Sequence, residues 1–278
     1  MIKKFAEKLE CDIPERLRPF VIAGIHGATH EKVKVTFPIL PNGFPVLIHV
    51  YGDLPWLHVK KNSSVAPSRL NLAGQIYGTV PKMEIDGYFG QIGFLLHPTA
   101  PYYLFHLKGA SFLNKWESLE STNLFNANKT LKVLAECESN IDRVPVLLKL
   151  LETLETDRLS ALPWLDLTID EIYKNNGSVA ISELAEKANL SLRHYGRTFK
   201  EIIGVPPKYF CKVVQLNSIF EIINTTEAKG LLALALEYGY YDQSHFISDF
   251  KKLIGDSPEK FLMSEDAFVK SFLGRKGA

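Results

Sequence analysis

The run "YGYYDQSHFISDFKKLIG", residues 238–255, places Asp242, Ser244, His245 and Asp249 within eight positions. A hydroxyl, an imidazole and carboxylates are the ingredients of a Ser-His-Asp hydrolase, and the same groups suit a divalent metal. The spacing argues against both. Ser244 and His245 are consecutive, so on a helix they point about 100° apart and cannot form the hydrogen bond that a nucleophile and its base require. The chain contains no GxSxG elbow. His26, His30, His49, His58, His97 and His106 lie in the first half and invite a metal, but they lack HxH pairing with a following acid. The expectation is no catalytic residues, no metal ligands, no cofactor and no enzyme activity.

The 278 residues are 46% hydrophobic and 23% charged, which is enough chain for two modest cores. No run approaches the roughly eighteen apolar residues of a membrane span, and MIKKFAEKLE lacks the apolar centre of a signal peptide. Cys11, Cys137 and Cys211 are widely spaced with no CxxC, so neither a disulfide framework nor a zinc cage is supported, and a cytoplasmic location is expected. With 32 basic against 31 acidic residues the molecule is nearly neutral, so nucleic-acid binding must rest on a local patch.

From Val46 to about Pro98, short β-branched and aromatic runs such as "PVLIHVYGD" and "YFGQIGFLLHP" alternate with Gly, Pro, Asn and Asp, predicting an antiparallel sandwich or barrel. Helical spacing takes over near residue 128 (Leu131, Leu134, Ala135; Leu147, Leu150, Leu151, Leu154), with Pro145 and Pro163 as expected breaks. Asn175, Asn176 and Gly177 are the clearest stop signal. The fold expected is α+β and multidomain: a β-rich domain over 1–125, a helical linker over 126–174, an all-α domain with two helix-turn-helix units over 175–264, and a tail over 265–278.

The all-α assignment rests on an internal repeat of about 50 residues. Ile181, Leu184 and Ala185 match Leu231, Leu234 and Ala235; after one extra residue in the second turn, Phe199, Lys200, Gly204, Pro207 and Phe210 match Phe250, Lys251, Gly255, Pro258 and Phe261. Each copy reads as a short helix, a tight turn, and a capped second helix that ends at Gly before Pro. In the first, Ser182 and Ser191 serve as caps, and Leu192, Tyr195, Phe199 and Ile202 form the core stripe. Arg193, Gly196, Arg197 and Lys200 lie opposite, and Glu201 is the only acid between Lys187 and Lys212. A solvated helix face would explain that stripe alone; duplication of the whole turn grammar favours a DNA groove. In the second copy Asp242 caps a helix through Ile254, Phe246, Phe250 and Leu253 face inward, and Gln243, Ser244, Ile247, Ser248 and Lys251 face outward.

The arrangement resembles the C-terminal DNA-binding domain of the AraC/XylS family of bacterial transcription regulators, and "GYYDQSHFISDFKKLIGDSP" is similar to that family's signature region. The resemblance covers about 178 to 263. It implies two reading helices in successive major grooves of double-stranded promoter DNA, with Arg193 and Arg197 on base edges in the first and Gln243, Ser244, Ile247 and Ser248 in the second. Ser248 stands where many members carry Arg, so the first helix is expected to dominate affinity. "PNGFPVLIHVYGD", "LAGQ" and "GQIGFLLHPTAPYYLF" resemble the β-rich domain of a subgroup of these regulators, implying sensing or dimerisation. A small-molecule effector, a homodimer and, for an activator, RNA polymerase are the expected further partners, with Tyr51, Trp56, Tyr77, Phe94 and Tyr102 as candidate pocket aromatics. The alternatives are an Ada-like repair and regulatory protein, which needs clustered cysteines that this chain lacks, and a protein-interaction module.

Overall fold

The computed structural model describes residues 7–60, 63–65, 67–120, 127–154, 162–223 and 231–263; the expected boundary at 125/126 and the tail over 265–278 lie outside the described residues. The first half is built from β1 (Glu7–Leu9), β2 (Val21–Ala28), β3 (Val33–Pro38), β4 (Val46–Gly52), β5 (Trp56–Lys60), β6 (Ser63–Val65), β7 (Leu70–Ala73), β8 (Lys82–Gly87) and β9 (Phe89–Leu96). Helix α1 (Ala100–Phe105) and strand β10 (Trp116–Ser118) complete it. One sheet runs β1-β2-β9-β4-β7-β10 and the other β3-β8-β5-β6, with antiparallel pairings. The β-rich fold class is as expected, but β1, β2 and β3 precede the region read as strands, and α1 was not foreseen. "VKVTFP" alternates over only six residues, too short for its period to stand out from a loop.

The period of two explains how the larger sheet is covered on both faces. Val46, Ile48 and Val50 of β4 point at the second sheet, where they meet Phe37, Leu57, Met83 and Ile85. Leu47, Ile92, Phe94 and Leu96 point the other way, onto α1 and onto α2 (Ala127–Glu136) and α3 (Asn140–Thr153). Helix α3 opens on a capping box in which Ser139 accepts from the Asp142 N–H and the Asp142 side chain reaches back to the Ser139 N–H. Pro145 was expected to break this helix and instead lies inside it. An internal proline costs roughly 3 kcal/mol. Val144, Leu147, Leu148, Leu150 and Leu151 are all buried, each contributing roughly 1.5 to 3 kcal/mol, so packing decides the outcome.

The second half holds α4 (Pro163–Lys174), α5 (Ile181–Lys187), α6 (Leu192–Ile203), α7 (Pro207–Ile223), α8 (Leu231–Glu237), α9 (Gln243–Ile254) and α10 (Pro258–Leu262). Two cores form here. Helices α4, α5, α6 and one face of α7 enclose Leu165, Ile169, Leu184, Tyr195, Phe199 and Phe210; the other face of α7 joins α8, α9 and α10 around Leu216, Phe220, Leu234, Phe246 and Phe250. The stretch read as a linker is therefore divided by packing: α2 and α3 lie on the β domain, and α4 belongs to the first helical core. Ser182 does not cap α5; Ala180 occupies that place without a side-chain bond.

His49 gives the β domain an acid sensitivity. Its Nδ1–H donates to the Arg69 carbonyl at 3.0 Å, and burial holds its pKa down to about 4 from the ordinary 6.5. The unfolded chain takes up this proton first, so stability present above about 6.5 is lost as the pH falls to about 4. The loss expected is about 3 kcal/mol. Denaturant unfolding across this range should show it in the wild type and a flatter profile in His49→Gln.

Candidate nucleic-acid interface

The two helix-turn-helix units repeat in geometry as well as in sequence. Ser191 accepts a hydrogen bond from the His194 N–H at 3.3 Å and starts α6; Asp242 accepts one from the His245 N–H at 2.8 Å and starts α9. Both helices stop at a glycine in the left-handed region, Gly204 (φ 96°) and Gly255 (φ 89°), whose N–H groups bond the Lys200 and Lys251 carbonyls at 3.0 Å. A side chain is disfavoured at such a φ, which is why glycine recurs there. Pro207 and Pro258 then begin α7 and α10, where the missing N–H removes no helical bond.

Beneath the exposed faces of α6 and α9 the buried sets correspond one to one: Tyr195, Phe199, Ile202 and Ile203 on α6, and Phe246, Phe250, Leu253 and Ile254 on α9. Phe199 meets Phe210 edge-on at 5.6 Å, and Phe250 meets Phe261 likewise at 5.5 Å. Leu192 was expected in this stripe and is instead 57% exposed. First-turn side chains lean back past the helix start, and the core does not extend there.

Arg193, Arg197 and Lys200 are exposed on α6, and Gly196 between them faces open space, with nothing within 4 Å of where its side chain would begin. Among the described residues Arg193 and Lys200 make no ion pair, while Arg197 Nη2 lies 3.2 Å from His194 Nδ1. Glu201 is hydrogen-bonded by the Lys108 ammonium of the β domain, which pulls its carboxyl below the usual carboxylate range. The one acid in this stretch is thus tied from outside, and the cations dominate the open face. On α9 Gln243, Ser244, Ser248 and Lys251 are exposed, but Ile247 is half-buried against the second core.

His245 and Asp249 had no role assigned from sequence. The His245 ring stands 3.3 Å from the Asp242 carboxylate that caps its own helix. Asp249 faces Lys212 of α7 at 3.5 Å, and the Lys212 ammonium also donates to Gln215 Oε1 at 3.0 Å and lies 4.1 Å over the Tyr240 ring. Gln215 donates in turn to the Tyr238 carbonyl in the turn before α9. Asp249 therefore fastens the second helix to α7.

The β domain touches the helical half along a long seam. Asn217 Nδ2 donates to the Pro41 carbonyl at 3.0 Å, the Tyr209 hydroxyl donates to the Ile76 carbonyl at 2.9 Å, and Phe44 stacks on Tyr173 at 5.3 Å. Near α4, Thr99 Oγ1 and the Tyr103 hydroxyl donate to Asp166 at 2.7 and 3.0 Å, beside buried His97. A cavity of about 420 Å³ lies between the two sheets, lined by aliphatic groups such as Ile25, Ile48, Leu57 and Met83, by Phe37, Phe44 and Trp116, by Gln91 and Lys115, and by Asn217 of α7. None of the five candidate pocket aromatics lines it. Tyr51 lies under the Arg143 guanidinium, Trp56 is half-exposed, Tyr77 meets Tyr209 at 4.7 Å, Phe94 is buried under the helices, and Tyr102 packs toward the first helical core. In sequence this largely aliphatic lining is indistinguishable from ordinary core.

Residues 184–264 match the family model described as a helix-turn-helix domain. Over 84 residues the chain is 34% identical to an uncharacterized HTH-type transcriptional regulator of Haemophilus influenzae, covering 30% of this chain and 28% of that protein. Over 100 residues it is 31% identical to the bifunctional transcriptional activator/DNA repair enzyme AdaA of Bacillus subtilis, covering 35% and 46%. The chain thus spans less than half the length of either curated relative. ToxT from Vibrio cholerae O395 aligns over 86% of this chain and 96% of its own, at 12% identity and a TM-score of 0.46. Among the described residues no helix is long and apolar enough to cross a membrane.

A side chain at Gly109 would lie 2.4 Å from the Ile203 carbonyl carbon and 2.7 Å from the Gly204 nitrogen, at the end of α6. Gly109→Ala should lower stability by about 1 to 3 kcal/mol, because backbone must shift. Gly196→Ala, in open space on a helix, should raise it by about 0.5 to 1 kcal/mol. Thermal or denaturant melting of the two variants checks the contrast.

Proposed function

We propose, from the premise that the C-terminal third of this chain is a helix-turn-helix domain of the AraC/XylS type, that the protein is a sequence-specific, DNA-binding transcription regulator. Helices α6 and α9 enter successive major grooves. Arg193, Arg197 and Lys200 flank Gly196 in the first, and Gln243, Ser244, Ser248 and Lys251 lie in the second with Ile247 at the margin. What carries the reading is the duplicated unit, with its N-caps, left-handed glycines and ring pairs in register. Helix α7, about 25 Å long at about 1.5 Å per residue over 17 residues, stands between the two helices and holds them apart on the scale of one DNA turn.

The β domain is read as the sensor. A small molecule in the cavity between the sheets would press on the strand-connecting segment around Pro41 to Phe44, which touches α7 and Tyr173. It would act by changing the population of docked and undocked helical domains. A homodimer, contact with RNA polymerase where transcription is raised, and a cytoplasmic location complete the reading. No enzymatic activity is assigned. Against the Ada-like alternative, Cys11 lies beside Gly24, Cys137 at the end of α2, and Cys211 inside the first helical core, where burial pushes its thiol up to about 12.

The deciding experiment is selection of duplexes from a random library by the full chain, followed by affinity measurement at several salt concentrations. Wild type should select a defined site and lose affinity steeply with salt. Arg197→Ala should cost about 1 to 3 kcal/mol on that site, and unchanged affinity would remove Arg197 from the reading set. For the sensor, Ile48→Trp should fill the cavity and abolish any thermal shift produced by a small molecule that stabilises the wild type.

A further inference from the structure

The two turns differ by one inserted residue. In the first, Asn189 takes φ 53° and the Leu190 N–H bonds the Ala185 carbonyl at 3.0 Å; in the second, Gly239 takes φ 84° and the Tyr240 N–H bonds the Ala235 carbonyl at 3.0 Å. Leu190 and Tyr240 then play the same part, each packing on the core below its turn. Leu190 leads directly to the cap Ser191, whereas Tyr240 is followed by Tyr241 before the cap Asp242. Tyr241 is 90% exposed, and its described ring contact is an edge-on approach to His245 at 6.4 Å. A large aromatic added to a turn that closes without it has no folding job there.

Its position supplies another job. Tyr241 stands beside the start of α9, one residue before the Asp242 carboxylate that takes the His245 N–H, and its exposed hydroxyl is a donor next to that filled cap. The helix behind it offers Gln243, Ser244 and Ser248 where α6 offers Leu192, Arg193 and Arg197. Asp249, at the position of Thr198 in the first copy, is tied to Lys212 and so takes up a cation of α7. The second helix thus has fewer cations to hold it on DNA.

We propose that Tyr241 is a further DNA-contact residue, its ring lying along the sugar-phosphate backbone beside the second groove and its hydroxyl donating to a phosphate oxygen. This rests on the DNA-binding reading and is separable from it. The probe is a duplex selected by the wild-type full chain, with Tyr241→Phe and Tyr241→Ala measured by fluorescence anisotropy and melting. Both variants should melt nearly as wild type, since the side chain is 90% exposed and its described contact is the exposed His245 ring. Tyr241→Phe should bind about ten- to a hundredfold more weakly, the range for one lost hydrogen bond to a charged group. The loss should be similar on related sites, because a phosphate carries no base information, and the salt slope should stay unchanged. Replacing single phosphates by neutral methylphosphonates should locate one position that weakens wild type but not Tyr241→Phe. Wild-type affinity in Tyr241→Phe overturns the proposal, as does intact DNA binding with reduced transcription, which would place Tyr241 on a protein partner. If the wild type selects no duplex at all, the DNA-binding reading itself has failed.

Discussion

The burial of α7 on two sides is the constraint on which the helical half depends. Phe210, Cys211 and Val214 enter the first core, while Val213, Leu216, Ile219 and Phe220 enter the second, so one rod is wall to both. A helix apolar on both sides has no use as a solvated spacer and must hold its neighbours in fixed orientation. Ring pairs do this at each end, Phe199 on Phe210 and Phe250 on Phe220. Because close-packed interiors resist continuous deformation, α6 and α9 move with α7 or not at all.

That rigidity gives the β domain leverage. It meets α7 at Asn217 and Tyr209, and it also reaches the C-terminal ends of both exposed helices: Gly109 packs on Ile203 and Gly204, and Val80 lies against Gly255. The contact points fall at the same left-handed glycine in each copy. A seam spread over both units and the rod between them resists a tilt of either one. It also means that displacement of the segment around Pro41 is transmitted to a body that cannot absorb it by bending.

Legibility in the sequence followed the range of the interaction concerned. Caps and stops are local, so Ser191, Asp242, Gly204 and Gly255 could be assigned from neighbouring residues, and the helical architecture followed from their repetition. Features that need a distant partner could not. Pro145 is tolerated because the leucines after it reach the β domain, Leu192 is exposed because the core stops short of it, and the role of Asp249 depends on Lys212 on another helix. The cavity failed for a different reason. Aromatic residues drew the attention, but Tyr51 and Phe94 are used in packing, and the space is bounded mostly by aliphatic residues, with Phe37, Phe44 and Trp116, whose sequence signature is that of any sheet core.

The two copies also show how one scaffold supports unequal surfaces. Their buried residues are nearly interchangeable, since the same cores and the same stops must be made twice. The outward residues carry no such obligation and diverge: cations around an open glycine on α6, hydroxyl and amide groups on α9. Asp249 sits on the boundary between these regimes. Facing a phosphate, its charge would be repelled, but the Lys212 ammonium at 3.5 Å offsets it and turns the side chain to holding the helix in place. The sequence around His245 looked like a catalytic cluster because these two pressures, packing against α7 and exposure to solvent, alternate within a few residues of one helix.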